Sequence, residues 1–162
     1  MRFATGITTL SLLALVACGG GDDSLTGTDN NGGNNNGGSG PMSATLNGAS
    51  WSAPTPAAVV SQSVVSVAGI DLNRGITISF AIPATGPGTY STAFNNTNGG
   101  IAIISNGATG QTWATYQQGG TGSVVVTMLQ AHRVAGTFAF TGVLSSGTGT
   151  ITVTNGKFDV TF

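Results

Sequence analysis

The chain has 162 residues and a formal net charge of −1, only 6% of its residues are charged, and it carries one cysteine, one histidine and no glutamate. So few charges exclude nucleic acid and an anionic membrane surface as electrostatic partners. A single thiol excludes a disulfide framework, and one histidine without glutamate leaves little for a metal centre or an acid–base pair, so no cofactor is expected.

The N-terminus has one cation, Arg2, followed by an apolar stretch from Ile7 to Ala17. That stretch is shorter than the ~18 residues of a spanning helix and suits the core of a signal peptide over residues 1–17. Leu15-Val16-Ala17-Cys18 closes it with the chain's only cysteine, and this run resembles the lipobox of bacterial lipoproteins. The resemblance implies diacylglycerol on the Cys18 sulfur, cleavage before Cys18 and acylation of the new amino group. Each buried methylene contributes ~0.8 kcal/mol, so several chains hold a protein on its membrane where one holds marginally. Gly19 stands where an inner-membrane retention aspartate would be, so outer-membrane sorting is the expectation. The alternative is an ordinary secretory signal, which leaves an unpaired thiol in an oxidising compartment.

Residues 19–42 contain nine glycines and five asparagines, with Asp22, Asp23 and Asp29, and little that is apolar beyond Leu25. Such a composition builds no core and reads as a coil with a reach on the order of 25–30 Å. Residues 18–42 are therefore a lipidated cysteine and its tether. A calcium loop on the three aspartates lacks the glutamate and the regular spacing of an EF-hand.

Residues 43–162 suffice for a single domain with one moderate core. Ala44-Thr45-Leu46 and Ala49-Ser50-Trp51 flank Asn47-Gly48, the pair that best tolerates a type I′ turn, so a hairpin is predicted with Leu46 opposite Ala49 and Ala44 opposite Trp51. β-Rich runs follow at Ala58–Val60, Val64–Ile70, Ile76–Ile82, Ile101–Ser105, Thr112–Gln117, Ser123–Leu129 and Val134–Val143, broken by glycine-bearing turns such as Gly86-Pro87-Gly88 and Asn98-Gly99-Gly100. At the end, Asn155-Gly156 is predicted to turn a second hairpin. It would set Val153 opposite Phe158 and Ile151 opposite Val160, with Phe162 continuing the apolar face and Thr152, Thr154, Asp159 and Thr161 on the other. No helical period is present. Nine or ten short strands at this spacing predict an all-β fold, an antiparallel β-sandwich, with a closed up-and-down β-barrel as the alternative.

Leu46–Ala53, Gly88-Thr89-Tyr90, Val134–Phe140 and Val153–Phe158, in that order, resemble a group of small bacterial lipoproteins whose C-terminal all-β domain is of unknown function. Those motifs are turn and core residues. The resemblance implies location and architecture and transfers no chemistry.

His132 lies where a strand ends, and its only possible carboxylate partners in the domain are Asp71 and Asp159. It reads as an exposed turn residue. Glycosidase chemistry would need those two aspartates to meet. There is no Gly-x-Ser-x-Gly elbow and no helix behind a glycine loop, while Arg74 reads as a turn residue and Asn95-Asn96-Thr97 as a polar loop. Trp51 reads as core. Trp113 has two readings: an exposed flat ring of the kind that sugars and partner proteins use, or a core plug beside small residues. Phe158-x-Val160-x-Phe162 also resembles the closing signal of outer-membrane barrels, whose strands run about 9–11 residues.

The expected function is that of an envelope lipoprotein anchored through Cys18, its non-catalytic β domain acting as a binding or structural module on an envelope protein or a glycan, with Trp113 as the candidate contact. An integral outer-membrane barrel and an envelope enzyme are the alternatives.

Overall fold

The computed structural model describes residues 41–162, so the signal peptide, Cys18 and nearly all of the tether lie outside the described residues. The described chain is all-β. It forms eleven strands: β1 (Met42–Leu46), β2 (Ala49–Ala53), β3 (Ala57–Ser61), β4 (Val64–Asp71), β5 (Ile76–Ile82), β6 (Gly88–Ser91), β7 (Ile101–Asn106), β8 (Gln111–Ala114), β9 (Thr121–Gln130), β10 (Arg133–Leu144) and β11 (Thr150–Thr161).

These make one curled antiparallel sheet, a half-barrel, in the order β2-β1-β11-β10-β8-β7-β5-β4-β3. β10 is long enough to serve two neighbours on one side. Arg133–Thr141 pairs with β9, which carries β6, and Val143–Leu144 pairs with β8.

Alternation along the strands places one face inside. Val65 and Val67 of β4, Ile78, Phe80 and Ile82 of β5, Ala102 and Ile104 of β7, Val124 and Val126 of β9, and Val134, Phe138 and Phe140 of β10 are all buried. β11, β1 and β2 complete the core with Val153, Phe158, Val160, Met42, Ala44, Leu46, Trp51 and Ala53. Its centre is aromatic: Phe80 lies 5.1 Å from Phe158 and 5.5 Å from Phe138, ring centre to ring centre, and Phe138 stacks on Phe140 at 5.8 Å. Tilted and offset pairs at this distance contribute beyond their buried area.

The first predicted hairpin forms as its sequence dictates. Leu46 pairs with Ala49 and Ala44 with Trp51, and Asn47 and Gly48 take φ of 45° and 85°.

The second does not form, and Asn155-Gly156 instead sits inside the continuous strand β11. β1 and β10 flank β11 on either side, pairing with residues both before and after Asn155. Folding 157–162 back onto 149–154 would forfeit both ladders. The Asn-Gly pair is spent on a β-bulge: Asn155 takes φ 53°, and both ladders slip by one residue there. The extra residue shifts the alternation, so Val153 and Phe158, five apart, both face inward. Gly156 must be glycine, because a Cβ there would lie 2.4 Å from the Phe138 carbonyl oxygen. Phe162, expected to extend the apolar face, lies beyond the strand and is exposed.

Two further differences are small. Gly88–Ser91 is a strand the periodicity did not mark, held by pairing with Ser123–Val126 and by the Tyr90 hydroxyl, which donates to the Gly86 carbonyl at 2.7 Å. The run expected at Thr112–Gln117 stops at Ala114 because Thr115 imitates the next ladder step with its side chain. Its Oγ1 accepts from Ala102 N at 2.9 Å while its own N–H donates to Ala102 O at 3.0 Å.

Candidate functional site

Antiparallel partners share a face, so Trp113, opposite the buried Ile104, lies on the inner side of the half-barrel. Its other partner is Leu144, and Gly142, whose Cβ would come 3.0 Å from that of Trp113, gives the ring its space. Trp113, Ile76 and Ile151 are all half-buried and pack on the core, forming an apolar lip at one end of the half-barrel. The Trp113 ring packs on the core and is half-buried.

At the same end a cleft of about 460 Å³ is lined by Ser50, Ser52, Pro54, Asp71, Leu72, Asn73 and Arg74. One residue organises it. Asp71 Oδ1 accepts the N–H groups of Asn73 (3.0 Å) and Arg74 (3.3 Å), fixing the β4–β5 turn, and Oδ2 accepts from Arg74 Nε at 2.8 Å. Arg74 Nη2 then reaches across to donate to the Ser50 carbonyl at 2.6 Å. Alongside, Trp51 Nε1 donates to Ile76 O at 3.0 Å. β2 and the β4–β5 turn share no ladder, so these side-chain bonds clip one sheet edge to the other half of the fold.

The hydrogen bond from Arg74 holds the Asp71 carboxyl below the usual carboxylate range. A depressed folded-state value gives stabilisation that is present above the unfolded value of about 3.9 and is lost as pH falls through the folded one. Asp71→Asn is therefore expected to lower stability at neutral pH and to flatten the decline below about pH 4. Urea midpoints measured from pH 7 to pH 2 check this, and an unchanged acid slope in the variant would contradict it.

The other carboxylate is at the opposite end. Asp159 pairs with Ala135 in the ladder, and its two oxygens accept from Arg133 Nε (2.8 Å) and Nη2 (2.6 Å). That hydrogen-bonded pair keeps Asp159 below its ordinary range too, yet both side chains are about half exposed, so water screens the interaction. His132 sits exposed in the β9–β10 turn, as its sequence position predicts, and its carbonyl accepts the Phe162 N–H at 3.1 Å. Asp71 and Asp159 thus each face an arginine of their own. Among the described residues, no three of His, Cys, Asp and Glu gather in a way that could hold a metal ion.

Sequence reasoning missed the Arg74 clamp, although Asp71-x-x-Arg74-Gly75 carries the signal of a side-chain-capped turn. It also missed the separate exposed apolar residues on β3, β4 and the turn that follows: Val59, Val60, Val64, Ile70 and Leu72.

The fold and its surfaces define an all-β domain, an antiparallel half-barrel with an apolar lip at one end and a side-chain clip between its edges. The chain belongs to the family described as a domain of unknown function (DUF6252), whose model matches residues 39–160. No curated protein and no solved structure matches it.

Proposed function

We propose that this protein is an extracytoplasmic lipoprotein, anchored through acyl chains on Cys18 to the outer membrane, whose β domain is a binding or structural module of the cell envelope. The observation that carries the reading is the order of segments: a basic start, a short apolar run ending in Leu-Val-Ala-Cys18, then a Gly/Asn-rich tether that gives way to β1 at Met42. The domain's geometry supports it. Pro41 O accepts the Asp159 N–H, so the tether joins at the end where β11 finishes, whereas Trp113 lies at the other. A contact surface around Trp113 therefore faces away from the point of attachment.

The low charge of the domain suits neutral recognition, by an envelope protein or a glycan, better than electrostatic steering. Phe158 and Val160 are turned into the core, 2% and 3% exposed, which favours a tethered module over an integral barrel with those residues toward lipid.

The anchor is tested by metabolic palmitate labelling in a host that processes lipoproteins. The wild-type chain is expected to take up label and to fractionate with membranes, and Cys18→Ala to lose both properties. An unlabelled wild-type chain would remove the anchor. Contact through Trp113 is tested by calorimetric titration with neutral glycans and envelope extracts, with a binding response expected from the wild type and none from Trp113→Phe. A response that survives in Trp113→Phe would move the contact elsewhere.

A further inference from the structure

From Met42 to Ile70 the chain has no charged residue, and within that stretch lies β3, an end strand of the sheet that, among the described residues, pairs with β4 alone. Native edges are normally protected by lysine, proline or a bulge. Ala57-Ala58-Val59-Val60-Ser61 has none of these, its ladder with β4 is regular, and Val59 is 62% exposed.

We propose that this edge pairs with the same edge of a second copy, joining two half-barrels into one continuous sheet across a two-fold axis at Val59. The register follows from the β3–β4 hairpin. Its two-residue turn, Gln62-Ser63 at φ 49° and 64°, makes Ser61–Val64, Val59–Ser66 and Ala57–Ala68 the hydrogen-bonded pairs. Ala58 and Val60 therefore direct their N–H and C=O groups away from β4, toward the open edge. An antiparallel copy centred on Val59 sets Ala58 opposite Val60 of that copy and Val60 opposite Ala58. All four outward groups on each strand are then satisfied, and Val59 meets its counterpart on the outer face.

Two-fold pairing brings identical residues together, which makes like charges the usual obstacle. This edge has no charge to oppose it. Four backbone bonds and a valine contact bury far less than the ~1,200–2,000 Å² of a stable interface. Pairing is thus weak between free copies and is favoured where copies are confined together. That last step rests on the lipid anchor proposed above, which would hold copies on one leaflet at an effective concentration on the order of mM.

The test uses the full chain with Val59→Cys, made in a host that processes lipoproteins, its membranes treated with a mild oxidant and run on non-reducing gels. Directly opposed residues on such an edge lie ~4.5 Å apart at Cα, within disulfide range. The expected result is a species of twice the chain mass, about tenfold above that from the wild type or from Thr137→Cys on the outer face of β10. Ala57→Cys and Ser61→Cys, opposed to each other in this register, should each be silent alone and cross-link when co-expressed. This gives a second arm that does not depend on position 59.

The pairing is overturned if Val59→Cys dimerises no more than Thr137→Cys, if Ala57→Cys alone cross-links as strongly, or if the adduct has another mass and thus carries a foreign strand. Palmitate uptake is read on the same samples. Label without the dimer overturns the pairing and leaves the anchor standing, whereas the dimer without label supports the pairing and overturns the anchor.

Discussion

Trp51→Ala is expected to lower stability by about 3–5 kcal/mol, a large share of what a domain of this size has in total. Trp51 is 1% exposed and does more than fill space. It stands on β2, an end strand, and donates to Ile76 O on β5 across a part of the fold that no ladder spans. β4 passes close to it, for a Cβ on Gly69 would lie 3.1 Å from Trp51 Cη2 and 2.7 Å from Ala53 Cβ. Removing the indole opens a cavity and also leaves the Ile76 carbonyl without its donor. Trp51→Phe separates the two effects: it retains most of the ring volume and loses the bond, at about 1–3 kcal/mol. Urea unfolding followed by circular dichroism measures both. A Trp51→Ala midpoint matching that of Trp51→Phe would mean that volume contributes nothing there.

Gly136→Ala is expected to cost about 3 kcal/mol or more, although it adds a single methyl group. That methyl would lie 2.0 Å from the Val125 carbonyl oxygen and 2.9 Å from Phe158 Cζ. The first obstacle is backbone in a paired strand, so no rotamer change relieves it. The site adjoins a register shift where β9 bulges against Ala135 and Gly136, and Phe158 fills the space above the missing side chain. Gly86→Ala is the control, since a Cβ there meets nothing within 4 Å, and its effect is expected within about 0.5 kcal/mol. Equal thermal midpoints for the two variants would contradict the steric account.

The strand runs were legible because alternation over a half-buried surface has a period of two, and turn residues mark where it stops. Asn47-Gly48 turns the predicted hairpin because the other ladder of β1, with β11, does not conflict with it. Asn155-Gly156 has the same local chemistry and the opposite outcome, because β1 and β10 hold both halves of β11 in line. Positive φ at asparagine serves a turn or a bulge equally well, and only neighbours distant in sequence choose between them. Trp113 shows the same limit, for its alternation was visible but not which side the core would take.

By itself, the sequence determined the all-β class, most strand positions and the residues of the core face. These depend on side-chain type and on local spacing, which a linear chain displays directly. The tertiary structure alone decided that β10 serves two neighbours on one side, that Arg74 and Trp51 clip one edge across the fold, and that β3 is left with an open, uncharged edge. Which strands end up as edges depends on long-range pairing and on how far the sheet curls, and neither leaves a periodic trace in the residues concerned.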